Sequence, residues 1–279
     1  MMSASFGVAD EQHSHNIVVS IAPYKYFVDA IAGDTVKVGL LVPPGASFHT
    51  FEPTPKQVLQ AGNADIWFRV GESFETKALP ALQAHNPHLR IVDLRHGVDL
   101  ITVDEAGHHG CCHVGGADLH IWLSPKQAKI QAKAIAEALI AAYPEHKELY
   151  QKRLESLLKD LDDLDKEIAE TLKPLKNRTM MVSHSAYAYF GRDYHLKQLP
   201  IEFEGRDPSP KQLNATLNEA RKDHIKVIFI QPQYSSKGAA LIAKELGAQL
   251  VILDPYSEDY FAAMRDIAQR IASQDSTTH

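Results

Sequence analysis

The sequence predicts an α/β chain of two β/α lobes, each built on a parallel sheet and joined by one long rigid helix. Three observations predict it. Short β-branched runs alternate with amphipathic stretches from Ile17 to Val92, and the same alternation returns after Thr179. Between them lies a stretch without Gly or Pro whose apolar residues recur at three- and four-residue steps. The expected divisions are 16–143 for the N-terminal lobe, 144–174 for the linking helix and 175–279 for the C-terminal lobe.

In the first lobe, strands are expected at 17–21, 36–42, 66–68 and 91–92, with helices at 23–32, 54–61 and 74–84 between them. The stretch 145–173 places Leu149, Leu154, Leu157, Leu158, Leu161, Leu164, Ile168 and Leu172 on one stripe, opposite a charged face. About 29 residues at 1.5 Å each span roughly 43 Å, enough to run along both lobes as a stiff hinge. Irregular spacing within the stripe disfavours a coiled-coil arm. Apolar runs at 179–183, 227–230 and 250–253 supply the strands of the second lobe. A tetrapeptide recurs at Thr54-Pro55-Lys56-Gln57, Ser124-Pro125-Lys126-Gln127 and Ser209-Pro210-Lys211-Gln212. Each is a helix start, with a hydroxyl N-cap, Pro in the first turn and Gln placed to close a capping box.

At 279 residues a single core nears its size limit, which favours two lobes. The net charge of -6 is scattered, without a block of like charges, and this excludes a nucleic-acid grip or a polybasic membrane arm. No apolar run approaches the roughly 18 residues of a membrane helix. The first residues are polar, and Gly7-Val8-Ala9 before Asp10 is read as the end of a trimmed export signal. The 2 cysteines, Cys111 and Cys112, are adjacent and cannot staple distant segments. Histidine, at 15 copies, matches Gly and Pro in number and directs attention to metal.

His49, His120, His184 and Asp254 all fall where predicted strands end, and ligands of open α/β sheets bind outside those ends. Three imidazoles and a carboxylate suit tetrahedral Zn(II). Two come from each lobe, so the ion is expected in the interlobe cleft. Glu52, three residues beyond His49, is expected either to orient that imidazole or to serve as an alternative to Asp254 or water as the fourth ligand. Trp122, Tyr187 and Tyr189 are read as packing around the site, Tyr24 and Phe27 as core, and Glu204 and Asp207 as surface or partner-facing acids.

Four motifs carry a resemblance: His49-x-Phe51-Glu52-Pro53-Thr54-Pro55 after a Pro-Gly turn, Asp118-x-His120-x-Trp122-Leu123-Ser124-Pro125, Ser183-His184-x-Ala186-Tyr187-x-Tyr189-Phe190, and Asp254-Pro255. Over 17–271 the chain resembles the cluster A-I solute-binding proteins of ABC transporters, most closely the periplasmic zinc-binding ZnuA type. The resemblance implies two lobes on a rigid helix, Zn(II) bound between them as the transported ligand, and delivery to a membrane permease. It implies a periplasmic, non-enzymatic protein, expected to be a monomer. Manganese-binding relatives carry Glu at the position of His184, and nitrogen there favours zinc. The segment holding His108, His109, Cys111, Cys112 and His113 sits where zinc members have a His-rich, metal-gathering loop.

Two other classes compete with a carrier. A zinc hydrolase could be drawn from His49, His120 and His184 with Glu52 as base, although the sequence has no His-Glu-x-x-His helix, nucleophile elbow or phosphate loop. An adhesin that merely contains a metal is the other. The stiff helix predicts small lobe shifts on binding rather than wide closure.

Overall fold

The computed structural model describes residues 15–102, 113–114, 116–202 and 208–276. The first lobe runs β1 (His15–Val19), α1 (Ala22–Ala32), β2 (Val36–Leu40), α2 (Pro55–Gly62), β3 (Ile66–Arg69), α3 (Ser73–His85) and β4 (Arg90–Asp93). Its strands form one parallel sheet in the order β2-β1-β3-β4, with Ile17 level with Ile66 and Val19 with Phe68. A short antiparallel hairpin, β5 (His113–Val114) and β6 (Ala117–Asp118), precedes α4 (Pro125–Ala142) and α5 (Lys147–Leu172). The second lobe follows with β7 (Thr179–Val182), α6 (Ala188–Tyr194), β8 (Lys197–Pro200), α7 (Pro210–Lys222), β9 (Val227–Ile230), α8 (Lys237–Leu246), β10 (Gln249–Ile252) and α9 (Tyr260–Ala272).

The second sheet is also parallel, in the order β10-β9-β7-β8. Both lobes therefore repeat one topology: the first strand has the second on one side and the third, then the fourth, on the other. Each sheet reverses its direction of growth beside its first strand. That reversal opens a crevice at the carboxyl ends, where loops from both sides can hold a ligand.

Central strands covered on both faces read as unbroken apolar runs, which is why Ile66-Trp67-Phe68 and Thr179 to Val182 are buried throughout. The sequence reading missed β8, because Lys197, Gln198 and Pro200 do not resemble a strand. As an edge strand it has one unpaired side, where Pro and charge are tolerated. The three expected caps form. Thr54 and Ser209 close complete boxes with Gln57 and Gln212, each cap contributing about 1 kcal/mol. At Ser124 the hydroxyl accepts from the Gln127 N–H and donates to the Asp193 carboxylate of α6, so this cap also ties the two lobes.

Helix α5 begins two residues later than its sequence pattern, because Pro144–His146 forms a 3-10 turn first. Its 26 residues, about 39 Å at 1.5 Å each, pack against α1 and α4 of the first lobe and α9 of the second. Leu157, Leu161, Leu164, Ile168 and Leu172 are buried there, while Leu149 is exposed. One apolar core runs through both lobes: Phe27 of α1 meets Tyr260 of α9 with ring centres 4.7 Å apart. A smaller core around Met181, Leu199, Leu217 and Ile242 lies between the second sheet and α7 and α8.

Polar bonds cross the junction as well. The Trp122 indole N–H donates to the Pro255 carbonyl at 2.8 Å, and Tyr260 donates to the Trp122 carbonyl at 2.8 Å. Tyr189 donates to the Asp118 carbonyl at 2.8 Å and accepts from the Ile101 N–H at 3.0 Å. Trp122 and Tyr189 are buried, as expected of packing residues, and with Tyr260 they also carry hydrogen bonds that hold the lobes together. Among the described residues no helix is long and apolar enough to cross a membrane. The expected export signal, the loop residues His108, His109, Cys111 and Cys112, the side chain of His113, and Glu204 and Asp207 lie outside what the structure describes.

Candidate metal centre

Each histidine is delivered by a strand end. His49 lies in the loop between β2 and α2, and His184 is two residues beyond β7. His120 follows β6, a strand of the small hairpin rather than of a main sheet, and leads into the 3-10 turn Ile121–Leu123. The three ligand atoms lie within 4.8 Å of one another. Ring centres are 5.1 Å apart for His49 and His120, 5.2 Å for His49 and His184, and 5.5 Å for His120 and His184.

A carboxylate fixes each ring through Nδ1. His49 Nδ1 is 2.7 Å from Glu72 Oε1, His120 Nδ1 is 2.8 Å from Asp118 Oδ1, and His184 Nδ1 is 2.8 Å from Glu202 Oε2. With Nδ1 on a carboxylate, Nε2 is the ring nitrogen on the side of the other histidines. The His49 and His120 Nε2 atoms are 3.2 Å apart. Tetrahedral zinc with Zn–N bonds of about 2.0–2.1 Å requires nitrogens about 3.3 Å apart, so this pair already has the required spacing.

The carboxylates are themselves held. Asp118 Oδ1 also accepts the His120 backbone N–H at 2.8 Å, locking main chain and ring together. Glu202 follows β8, and its N–H donates to the Ser183 carbonyl at 3.1 Å, which extends the β7–β8 ladder and sets the two side chains side by side. Glu72 caps α3, its Oε2 accepting the Ser73 N–H at 3.2 Å. Behind it Glu75 accepts the N–H groups of Val70 and Glu72 at 3.0 and 2.8 Å. Tyr234 lies flat on His184, with ring centres 4.0 Å apart and planes at 15°. His120 and His184 are buried, whereas the His49 side chain keeps 13% exposure and marks the side open to solvent.

Burial pushes the Glu72 carboxyl up to about 8, against the pull of the Ser73 N–H and with further upward pressure from Glu75. At pH 7 the metal-free centre therefore keeps a proton on Glu72. Glu72 Oε1 faces His49 Nδ1, His49 Nε2 faces His120 Nε2, and His120 Nδ1 faces Asp118 Oδ1, a line of contacts along which protons are shared. An ion bound at Nε2 would leave His49 its proton at Nδ1 and Glu72 ionised. Of the two protons the His49–Glu72 pair holds, one would then leave to solvent. The sign for stability follows: a raised carboxyl binds its proton more tightly in the folded state. The metal-free fold thus loses this contribution as pH rises from about 4.5 through 8.

The three expected histidines are brought together. Asp254 is not among the ligand atoms that lie within 4.8 Å of one another, and its Oδ1 accepts the Gln233 amide at 2.7 Å and the Tyr256 N–H at 3.0 Å, which binds the loops after β9 and β10 to each other. The role expected of Glu52 is corrected. Its side chain is 79% exposed and faces Lys77, while Glu72 orients His49. Sequence reasoning missed Glu72, Asp118 and Glu202. Glu72 stands just past a predicted strand, where the rule that found the histidines also applies, and Asp118 is inside the motif of His120. Glu202 was hidden with β8.

The family model for zinc-uptake complex component A, periplasmic, matches residues 17–274. The chain belongs to the ZnuA family. Among curated relatives, a Chlamydia muridarum protein described as metal-binding is 36% identical over 259 residues, covering 92% of this chain and 90% of the relative. The high-affinity zinc uptake protein ZnuA of Bacillus subtilis is 31% identical, covering 90% of this chain and 82% of its own length. A ZnuA crystal structure superposes with a TM-score of 0.87 at 35% identity, covering 94% of this chain and 99% of the other. A zinc-bound deletion mutant of ZnuA gives the same TM-score and identity. The ZnuA family comprises extracytoplasmic solute-binding proteins of metal transport rather than enzymes.

Two outcomes are expected of the centre. Glu72→Gln, Asp118→Asn and Glu202→Gln each weaken zinc affinity by about 10–100-fold in titrations of chelator-stripped protein, whereas Glu52→Gln leaves it unchanged. Calorimetry in buffers of different ionisation enthalpy records release of about one proton per ion at pH 7, falling toward none above pH 8, and this fall is lost in Glu72→Gln.

Proposed function

We propose that this ZnuA-family chain captures Zn(II) as cargo in the cleft between its lobes and hands it to the permease of an ABC transporter. The observation that carries the reading is the trio of imidazoles, each tied by a carboxylate at Nδ1 and converging through Nε2. Three nitrogen donors of borderline softness favour zinc over manganese, which prefers oxygen. His49, His120 and His184 supply three ligands and solvent supplies the fourth. Asp254 holds the loops of the second lobe in place. Lobes sharing one core and several buried hydrogen bonds support capture by small movements of side chains and loops.

Hydrolysis is the weaker reading. A catalytic zinc needs a carboxylate free to take a proton from bound water. Here Glu72, Asp118 and Glu202 are engaged by the histidines, and Glu52 faces Lys77 at the surface. The protein acts as a monomer outside the cytoplasm, in keeping with the periplasmic description of its family. The zinc-binding lipoprotein AdcA of Streptococcus pneumoniae, 30% identical, is a longer relative, half of whose length this chain spans.

Titration of the stripped protein with Zn(II) and Mn(II), beside His184→Ala, tests the assignment. Zinc is expected to bind more tightly than manganese, and the substitution to weaken zinc by more than about 100-fold, beyond the loss from an outer partner alone. Zinc affinity indifferent to His184→Ala, or a zinc-dependent hydrolysis of esters or phosphoesters, would overturn the reading.

A further inference from the structure

A second group of metal-ligating side chains lies at the opposite end of the first lobe. His15, Glu145 and His146 place one ligand atom each within 4.8 Å of one another. His15 is the first residue of β1, so the group sits at the amino end of a strand whose carboxyl end faces the cleft. The four steps of β1, about 3.3 Å each, alone separate its two ends by roughly 13 Å. Glu145 and His146 come from the 3-10 turn that leads into α5.

We propose that these three residues form a second, weaker site for a divalent transition metal. The donors are two imidazoles and one carboxylate, a set that suits zinc with solvent in the remaining position. The backbone that presents them is fixed. His15 is held by the parallel ladder between β1 and β2, where it stands level with Val36. The 3-10 turn is anchored by Tyr143, which is buried, donates its hydroxyl to Asp65 at 2.9 Å and lies against the His15 ring with centres 3.9 Å apart. The ring of His146 packs on Tyr150, 5.5 Å between centres. Asp65 also accepts the Asn16 N–H at 2.9 Å, so the same carboxylate fixes both halves of the group.

The contacts between the three ligands are looser than in the cleft. His15 Nε2 and Glu145 Oε1 are 3.7 Å apart, Glu145 is exposed, and among the described residues no buried carboxylate stands behind either ring. Fewer constraints and more solvent make this the weaker site, one that fills after the cleft. An ion here bridges the start of the first sheet to the start of the linking helix. Its effect is to clamp α5 to the first lobe at the end remote from the cleft, and its binding does not depend on the cleft being intact.

The experiment is a zinc titration of the chelator-stripped full chain by calorimetry, run on the unaltered protein, His184→Ala, His146→Ala and Glu145→Gln. The unaltered protein is expected to take up a second zinc in a weaker phase. That phase survives in His184→Ala, and is weakened at least about tenfold in His146→Ala and Glu145→Gln, whose tight phase is unchanged. Glu145 is exposed, so its substitution reads out binding without disturbing the fold. A single phase in the unaltered protein, or a weaker phase that both His146→Ala and Glu145→Gln leave intact, would overturn the proposal. The second result would assign the extra zinc elsewhere on the chain.

Discussion

Three imidazoles can hold one ion only if their Nε2 atoms face a single point, and a free histidine ring has no reason to do so. The carboxylates at Nδ1 supply the reason. Glu72, Asp118 and Glu202 each fix one ring at 2.7–2.8 Å and leave the opposite nitrogen aimed inward. Placing these acids under the rings carries a cost, reflected in the upward push of burial on the Glu72 carboxyl. On the proposed reading an arriving cation relieves that cost, so the arrangement that orients the rings also favours the metal-bound state.

The fold exists in two similar halves because such a centre needs ligands from both sides of a crevice. Repeating one sheet topology places two sets of strand ends opposite each other, His49 and Glu72 on one side, His184 and Glu202 on the other. The distances demanded by a metal tolerate errors of only a few tenths of an ångström. Two lobes swinging freely would not keep them. Helix α5, the shared aromatic core and the bonds from Trp122, Tyr189 and Tyr260 hold the halves in register. Exchange of the ion then falls to the exposed edge at His49 and to the loop that carries Tyr234.

The three clustered histidines were legible because strand ends and capped helices leave local marks: β-branched runs before His184, a Pro-Lys-Gln start after His49 and His120. Helix α5 was legible for the same reason, since its leucine stripe repeats over seven turns. The partners of the histidines were not. Glu72 meets His49 across 23 residues, and Glu202 reaches His184 from an edge strand whose Lys, Gln and Pro conceal it. Glu52 was favoured by nearness in sequence, yet it projects to solvent while a residue from another strand end does its work. Which carboxylate lies beneath which ring is decided by sheet order, and sheet order has no local signature. Asp254 occupies the strand end it was expected to occupy, but the Gln233 amide and the Tyr256 N–H claim its Oδ1.

The most direct test of the central claim is a zinc-edge anomalous difference map from crystals of the protein loaded with one equivalent of zinc. A single strong peak is expected about 2.0–2.1 Å from the Nε2 atoms of His49, His120 and His184, with Glu72, Asp118 and Glu202 still on the Nδ1 side. A peak elsewhere with the cleft empty, or rings turned so that Nδ1 faces the ion, would contradict the account.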